Sequence, residues 1–204
     1  MTAWSYSSIN TFKSCPKKYY HLKVARDVKD TGSAAMSYGN AVHKAAELYI
    51  KEGTPIPPKF SFVEESLKVL QGIEGEKHCE IRLSLAKADG DYYPTTYFAK
   101  DVWWRGIADL LIVDGDKAYL IDYKTGKNAK YADTKQLDLL AGATFTYYPE
   151  VKTIKSALAY VVSNEFIQKE HTADMRKSYL TVFDDELERL EVAEETEVWN
   201  AVDG

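Results

Sequence analysis

The stretch from Trp103 to Lys124, WWRGIADLLIVDGDKAYLIDYK, constrains this chain more than any other. β-Branched, aromatic and aliphatic residues fill both arms around Asp114-Gly115-Asp116, so the pattern predicts two strands, Val102 to Val113 and Ala118 to Lys124, closed as a hairpin. Side chains alternate along a strand, which puts Asp122 and Lys124 on one side and Tyr123 on the other. Asp109, late on the first strand, approaches Asp122 across the pair if the register allows. Two carboxylates and an ammonium then converge in an otherwise apolar sheet. Buried charges are costly unless they pair or bind a metal, so the arrangement is either a salt bridge at a strand end or a divalent-cation site. Asp/Glu-x-Lys occurs four times, at Asp27, Asp122, Asp133 and Glu150. Only the copy at Asp122 ends an apolar strand and follows a second strand with its own acid.

The segments before the hairpin read as two helices, a further helix and a strand. Ser5 to Tyr20 starts with capping serines and spaces Ile9, Phe12, Cys15 and Tyr19 on one helical face, with Pro16 set to kink or end it. Tyr19-Tyr20 fits packing better than base stacking, the alternative for such a pair. Met36 to Lys51 is a second helix ending before Gly53 and the prolines 55, 57 and 58, and it carries Gly39, His43 and Glu47 on one face. Residues 60–77 read as an amphipathic helix with Phe62, Leu67, Val69 and Leu70 inward. Cys79 to Ala88 alternates as a strand, with Cys79, Ile81, Leu83 and Leu85 on one side and Glu80 and Arg82 on the other. Glu80 is either an edge charge or a further acid for the site.

After the hairpin, Thr125-Gly126-Lys127-Asn128 turns the chain into a helix from about Tyr131 to Tyr147, with Gln136 near its first turn and Leu137, Leu140, Ala141 and Phe145 as its apolar face. A helix start presents amide donors suited to a phosphate. Thr153 to Val162 and Glu165 to Thr172 form a hairpin around Ser163-Asn164, and Asp184 to Trp199 an acidic helix with Leu187, Leu190 and Val198 inward. Helices and strands in this order, with no internal repeat and 204 residues, predict one α/β domain over residues 1–204.

Charge matters here through its distribution. The net charge is -5, yet residues 13–29 hold Lys13, Lys17, Lys18, Lys23, Arg26 and Lys29 against Asp27 alone, and Lys124, Lys127, Lys130 and Lys135 cluster against Asp133. Local basic surface is what attracts phosphate backbones, although any one of these lysines also fits a solvated face. No apolar run has the length of a membrane span, and MTAWSYSS lacks the features of a secretory signal, so a cytoplasmic location is expected, with no membrane partner. Cys15 and Cys79 are too few for a disulfide framework or a four-cysteine site.

Taken together these residues resemble the PD-(D/E)XK nuclease superfamily, in its RecB-like branch of helicase-associated nuclease domains, CRISPR adaptation nucleases and phage recombination exonucleases. The matches are Ser8, Phe12, Cys15-Pro16 and Tyr19-Tyr20 at the N-terminus; Gly39 and His43 as Gly-x-x-x-His; Gly106 and Asp109 as Gly-x-x-Asp; Asp122-Tyr123-Lys124-Thr125; and Gln136 at the start of the next helix. The resemblance implies a restriction-endonuclease-like core, a central mixed β-sheet flanked by helices. It also implies a metal-dependent DNA nuclease, an exonuclease working from DNA ends in recombination, repair or end processing. Mg²⁺ or Mn²⁺ would be held by His43, Asp109, Asp122 and the backbone carbonyl of Tyr123, with Glu80 either serving a second metal or remaining a strand charge. Lys124 would orient water and neutralise phosphate, and Gln136 would position water or substrate. DNA is the implied partner, with a helicase or recombinase by family analogy alone. A non-catalytic DNA-binding module and a hydrolase of small phosphoesters are the alternatives. Two departures stand out. Leu140 occupies the place of a tyrosine, and no cysteine follows Cys79. An iron-sulfur cluster, which needs four thiolates, is therefore not expected in this chain as written; either this member dispenses with it or the chain stops short of the cysteines.

Overall fold

The computed structural model describes residues 3–29, 31–126, 129–130 and 132–202; the expectations at Lys127, Asn128 and Tyr131 lie outside them. Six strands form one mixed sheet in the order β2-β1-β3-β4-β5-β6. They are β1 (Glu76–Ala88), β2 (Asp91–Pro94), β3 (Trp104–Asp114), β4 (Lys117–Lys124), β5 (Thr153–Tyr160) and β6 (Glu165–Thr172). All neighbours are antiparallel except β4 and β5, which run parallel through the crossover helix α5 (Lys135–Tyr147). Gly115, at φ 56°, makes the tight turn of the central hairpin. Asp89 and Gly90, at φ 51° and 73°, close β1 onto β2, a four-residue strand that has no counterpart in the sequence reading.

Helices cover both faces, giving three layers. One face packs on α5, α1 (Tyr6–Ser14) and α7 (Asp184–Thr196), through Ile9, Phe12, Leu83, Trp104, Leu120, Leu137 and Leu190. The other packs on α3 (Ala34–Glu52) and α4 (Glu64–Gly72), through Val42, Ala46, Leu67, Leu110, Ile112, Ile121 and Tyr123. Ser5 and Ser8 form a reciprocal capping box at the start of α1, and Cys15 both ends α1 and caps α2 (Pro16–Tyr19). Tyr19 is buried and stacks on Trp199 at 6.1 Å, as packing rather than surface. Among the described residues no helix is long and apolar enough to cross a membrane.

Three expectations about the core need correction. The 60–77 segment is a 3-10 turn (Pro58–Val63) followed by α4, and the chain is already in β1 at Glu76. Residues three apart eclipse in a 3-10 turn, so Phe60 and Val63 go inward with Leu67, while Phe62 and Val69 are exposed. Val198 is also exposed, because the chain leaves the helical path at Glu197, φ 56°, and turns Trp199 back onto Phe12 and Tyr19 instead. Finally, Cys79 and Ile81 face opposite layers, Cys79 towards α3 and Ile81 towards α5. Glu80 between them is left-handed, φ 52°, and reverses the alternation.

A buried polar run ties α5 to the far end of the sheet. Ser156 Oγ lies 2.8 Å from His171 Nε2, His171 Nδ1 lies 3.5 Å from Asp138 Oδ1, and Lys169 reaches the same carboxylate at 2.6 Å. Ser156, His171 and Asp138 are sealed from solvent, so the run serves the fold. Burial holds the His171 imidazole down to about 4, with the Asp138 carboxylate opposing it only in part. The folded protein keeps this ring neutral where the unfolded chain, with an ordinary pKa near 6.5, already binds a proton. Stability is therefore full above about pH 6.5 and falls as the pH drops towards 4, by about 2–3 kcal/mol. Urea unfolding of the parent and of His171→Gln at pH 7 and pH 4.5 should show the gap between them narrowing by that amount; a gap independent of pH contradicts it.

Candidate active site

The sheet forks at its two central acids. The β3–β4 ladder ends at the pair Leu110 and Ile121. Beyond it, β3 continues beside β1 as far as Trp104 and Leu85, and gains Trp4 as a lone parallel bridge. β4 stays with β5 as far as Lys124 and Tyr160. Asp109 and Asp122 are the first residues past the split, one on each arm. The Tyr123 amide, which has lost its ladder partner, donates instead to Asp109 Oδ2 at 2.6 Å.

Two groups of side chains meet at the fork. On the α3 side, His43 Nδ1 lies 3.1 Å from Asp109 Oδ1 and its ring meets Tyr123 edge-on at 5.8 Å. Gly39, one turn earlier, lets α3 close on the end of β4, since a Cβ there would stand 3.1 Å from Thr125 Oγ1. Glu80 joins this group: one ligand atom from each of His43, Glu80 and Asp109 lies within 4.8 Å of the other two. Its left-handed backbone is a cost of roughly 1–2 kcal/mol for a residue with a Cβ, borne mid-strand, where regular pairing would otherwise be available. The β1–β3 register skips the Glu80 and Asp109 positions, so both acids leave the ladder together.

On the α5 side, the buried Asp122 accepts from Gln136 Nε2 at Oδ1, 2.6 Å, and has Lys124 Nζ 2.5 Å from Oδ2. Lys124 also donates to Gln136 Oε1 at 2.8 Å, closing a three-membered ring of contacts. Asp122 and Lys124 share a side of β4, and Tyr123 turns to the α3 layer, its hydroxyl buried without a partner and its pKa pushed far up by burial. The structure thus brings together all of the residues singled out for the site, as two adjoining clusters with Asp122 outside the His43–Glu80–Asp109 group.

Electrostatics link the two clusters. Burial pushes the Asp122 carboxyl up to about 6, against the pull of Lys124 and with the charge of Asp109 adding to it. Burial and then Asp109 also raise Glu80. Burial alone would hold the His43 imidazole down, but the hydrogen bond and charge of Asp109, with Asp122 and Glu80 behind it, outweigh that and raise it. Three carboxylates crowded this closely favour a proton or a cation among them. Two carboxylates with one imidazole suit a divalent ion, and Asp122 Oδ2, buried with no hydrogen bond of regular geometry, offers a further oxygen. No motif marks the other residues at the fork, Arg105, Tyr97 and Phe98; an aromatic pair in the turn-rich segment 93–101 is their only trace in the sequence.

A sequence model described as the PD-(D/E)XK nuclease superfamily matches residues 3–200. No curated protein matches significantly. Among solved structures, a protein of Eubacterium rectale provisionally assigned as an exonuclease aligns over 96% of this chain and 82% of its own, with 14% identity and a TM-score of 0.54, a likeness of fold. The structure of SSO0001 aligns over 93% of this chain and 77% of its own, with 12% identity and a TM-score of 0.42.

Proposed function

The chain belongs to the PD-(D/E)XK nuclease superfamily of metal-dependent phosphodiester hydrolases, and on that premise we propose that it is a Mg²⁺- or Mn²⁺-dependent deoxyribonuclease of the RecB-like branch. In this reading a single domain degrades DNA from its ends in recombination, repair or end processing. The observation that carries it is the pairing of Lys124 with a buried carboxylate, Asp122, one residue from the backbone amide that anchors Asp109. A decayed, purely DNA-binding descendant would have no use for that costly arrangement. The choice of an exonuclease rests on the RecB-like resemblance, and the name given to the Eubacterium rectale protein agrees with it.

His43, Glu80 and Asp109 would hold the cation, with an oxygen of Asp122 and the Tyr123 carbonyl as further ligands. When bound, such an ion lowers the pKa of water and polarises a phosphoryl oxygen. Lys124 would orient the attacking water with its ammonium and offset the charge of a non-bridging phosphate oxygen. Gln136 holds both Lys124 and Asp122 and so fixes the distance between ammonium and carboxylate. His43, hydrogen-bonded to Asp109, keeps that carboxylate aimed into the fork.

End-labelled single-stranded and duplex DNA incubated with Mn²⁺, Mg²⁺ or EDTA tests the proposal. The expected result is degradation with either ion, none with EDTA and none by Asp122→Ala, the order of label release giving the polarity. Salt-sensitive binding without cleavage under any ion would overturn it.

A further inference from the structure

The arm of the fork that β3 forms with β1 carries a second set of groups. On the side of the sheet that α3 covers lower down, Arg82 and its register partner Ile107 are exposed. The segment after β2 folds back over them and brings two aromatic rings. Tyr97 and Phe98 meet edge-on at 5.2 Å, the Arg82 guanidinium stands 5.5 and 5.9 Å from their centroids, and that of Arg105 stands 5.5 Å from Tyr97. The segment is held in place rather than loose: the Thr95 amide donates to the Ser84 carbonyl at 3.1 Å, and the Tyr147 hydroxyl donates to the Thr95 carbonyl at 3.0 Å.

Three features of this strip point to a ligand. Among the described residues neither guanidinium forms an ion pair, and Arg105 Nε is buried without a hydrogen-bond partner. Phe98 is 77% exposed, so its ring, though it meets Tyr97 and Arg82, keeps most of its surface open to a ligand. A cavity of about 300 Å³ lined by Tyr97, Arg105, Ile107 and Gln136 runs from the strip to the residue that holds Lys124 and Asp122.

We propose that this strip is a single-strand subsite, in which unpaired bases of the DNA strand entering the fork stack on Phe98 and Tyr97 while Arg82 and Arg105 take its phosphates. The assignment rests on the nuclease reading for the direction of the strand, since Gln136 is where strip and catalytic cluster join. Cationic groups between aromatic rings are what a single strand requires: guanidiniums track the phosphates, and ring faces stack on bases of any sequence. Bases in a duplex already stack on one another and cannot use the rings, and a cavity at the small end of ligand pockets takes one strand, not two. An acidic peptide would satisfy the guanidiniums but leave Phe98 and Tyr97 without a role. The strip therefore selects a frayed or single-stranded end over a closed duplex.

Binding in EDTA tests this without turnover, so its outcome is separate from that of the cleavage assay. Fluorescence anisotropy of a labelled oligothymidylate and of a hairpin-capped duplex is measured against the full chain, Phe98→Ala, Phe98→Trp and Arg82→Gln. Phe98→Ala is expected to weaken oligothymidylate binding about tenfold, the loss of one stacked base, and duplex binding less than twofold. Phe98→Trp keeps the affinity and its emission is quenched by the oligonucleotide; Phe98 is a surface ring, so neither variant disturbs the core. Arg82→Gln lowers the slope of log affinity against log salt by about one. Equal affinity of the parent and Phe98→Ala for oligothymidylate, a parent that prefers the duplex, or no binding of the single strand overturns the subsite. A parent that stacks the oligonucleotide through Phe98 yet never cleaves it would instead leave the subsite standing and remove the nuclease reading.

Discussion

Replacing Lys124 with alanine is expected to lower DNA cleavage at pH 7 by about a thousandfold, with the circular dichroism spectrum unchanged. The effect is large because one ammonium serves two ends. In the proposed mechanism its charge would offset the negative charge that the phosphate gains, and positioned groups of this kind are worth roughly 10²- to 10⁴-fold. It is also the main influence holding the Asp122 carboxyl down against burial. Without it Asp122 keeps its proton more tightly and becomes a poorer oxygen donor, so the two losses compound. The fold survives because the orphaned carboxylate takes a proton rather than remaining a naked buried charge, and because the Gln136 amide still donates to its Oδ1. Lys124→Arg restores charge but not activity, as a planar fork does not fit the 2.5 and 2.8 Å contacts that the ammonium makes to Asp122 and Gln136. Cleavage by Lys124→Ala at the parent rate would remove Lys124 from the mechanism.

How much of this site could be read from the chain depends on where the backbone is regular. The central hairpin was legible because Asp-Gly between two β-rich arms has few other solutions, and Asp122 and Lys124 share a side because residues two apart in an undisturbed strand must. The same rule failed across Cys79 and Ile81, where left-handed Glu80 puts half a turn into the strand, and nothing in the letters CEIRL announces it. The fork was illegible for a related reason. It depends on where pairing stops, which is set by Trp4 bridging to Trp104 from a hundred residues away and by the Asp109 carboxylate taking over the Tyr123 amide. Helical period placed Leu67 and Leu190 correctly, but not Val198, which lies beyond the left-handed residue that ends α7. Motifs located the acids; the irregular backbone decided which of them stand together.

The same irregularity yields the second large effect, a crossing of stabilities. Mn²⁺ at about a hundred times its dissociation constant should stabilise the parent by about 2.7 kcal/mol, which for a domain of this size raises the melting temperature by roughly 5–10 °C. Glu80→Gln should behave in the opposite sense in the two conditions. In EDTA it relieves the crowding with Asp109 that, after burial, raises the Glu80 carboxyl, so the variant melts at or above the parent. In Mn²⁺ it lacks one of three donors whose atoms lie within 4.8 Å, and most of the shift disappears. Asp109→Asn should also lose most of the Mn²⁺ shift, but unlike Glu80→Gln it should melt below the parent in EDTA, since Asp109 anchors the Tyr123 amide and His43. A Glu80 that was only a strand charge would give the variant the full Mn²⁺ shift. In that case the left-handed backbone at Glu80 would serve the fold alone, and the cation would have to be held by Asp109 and Asp122 across the fork.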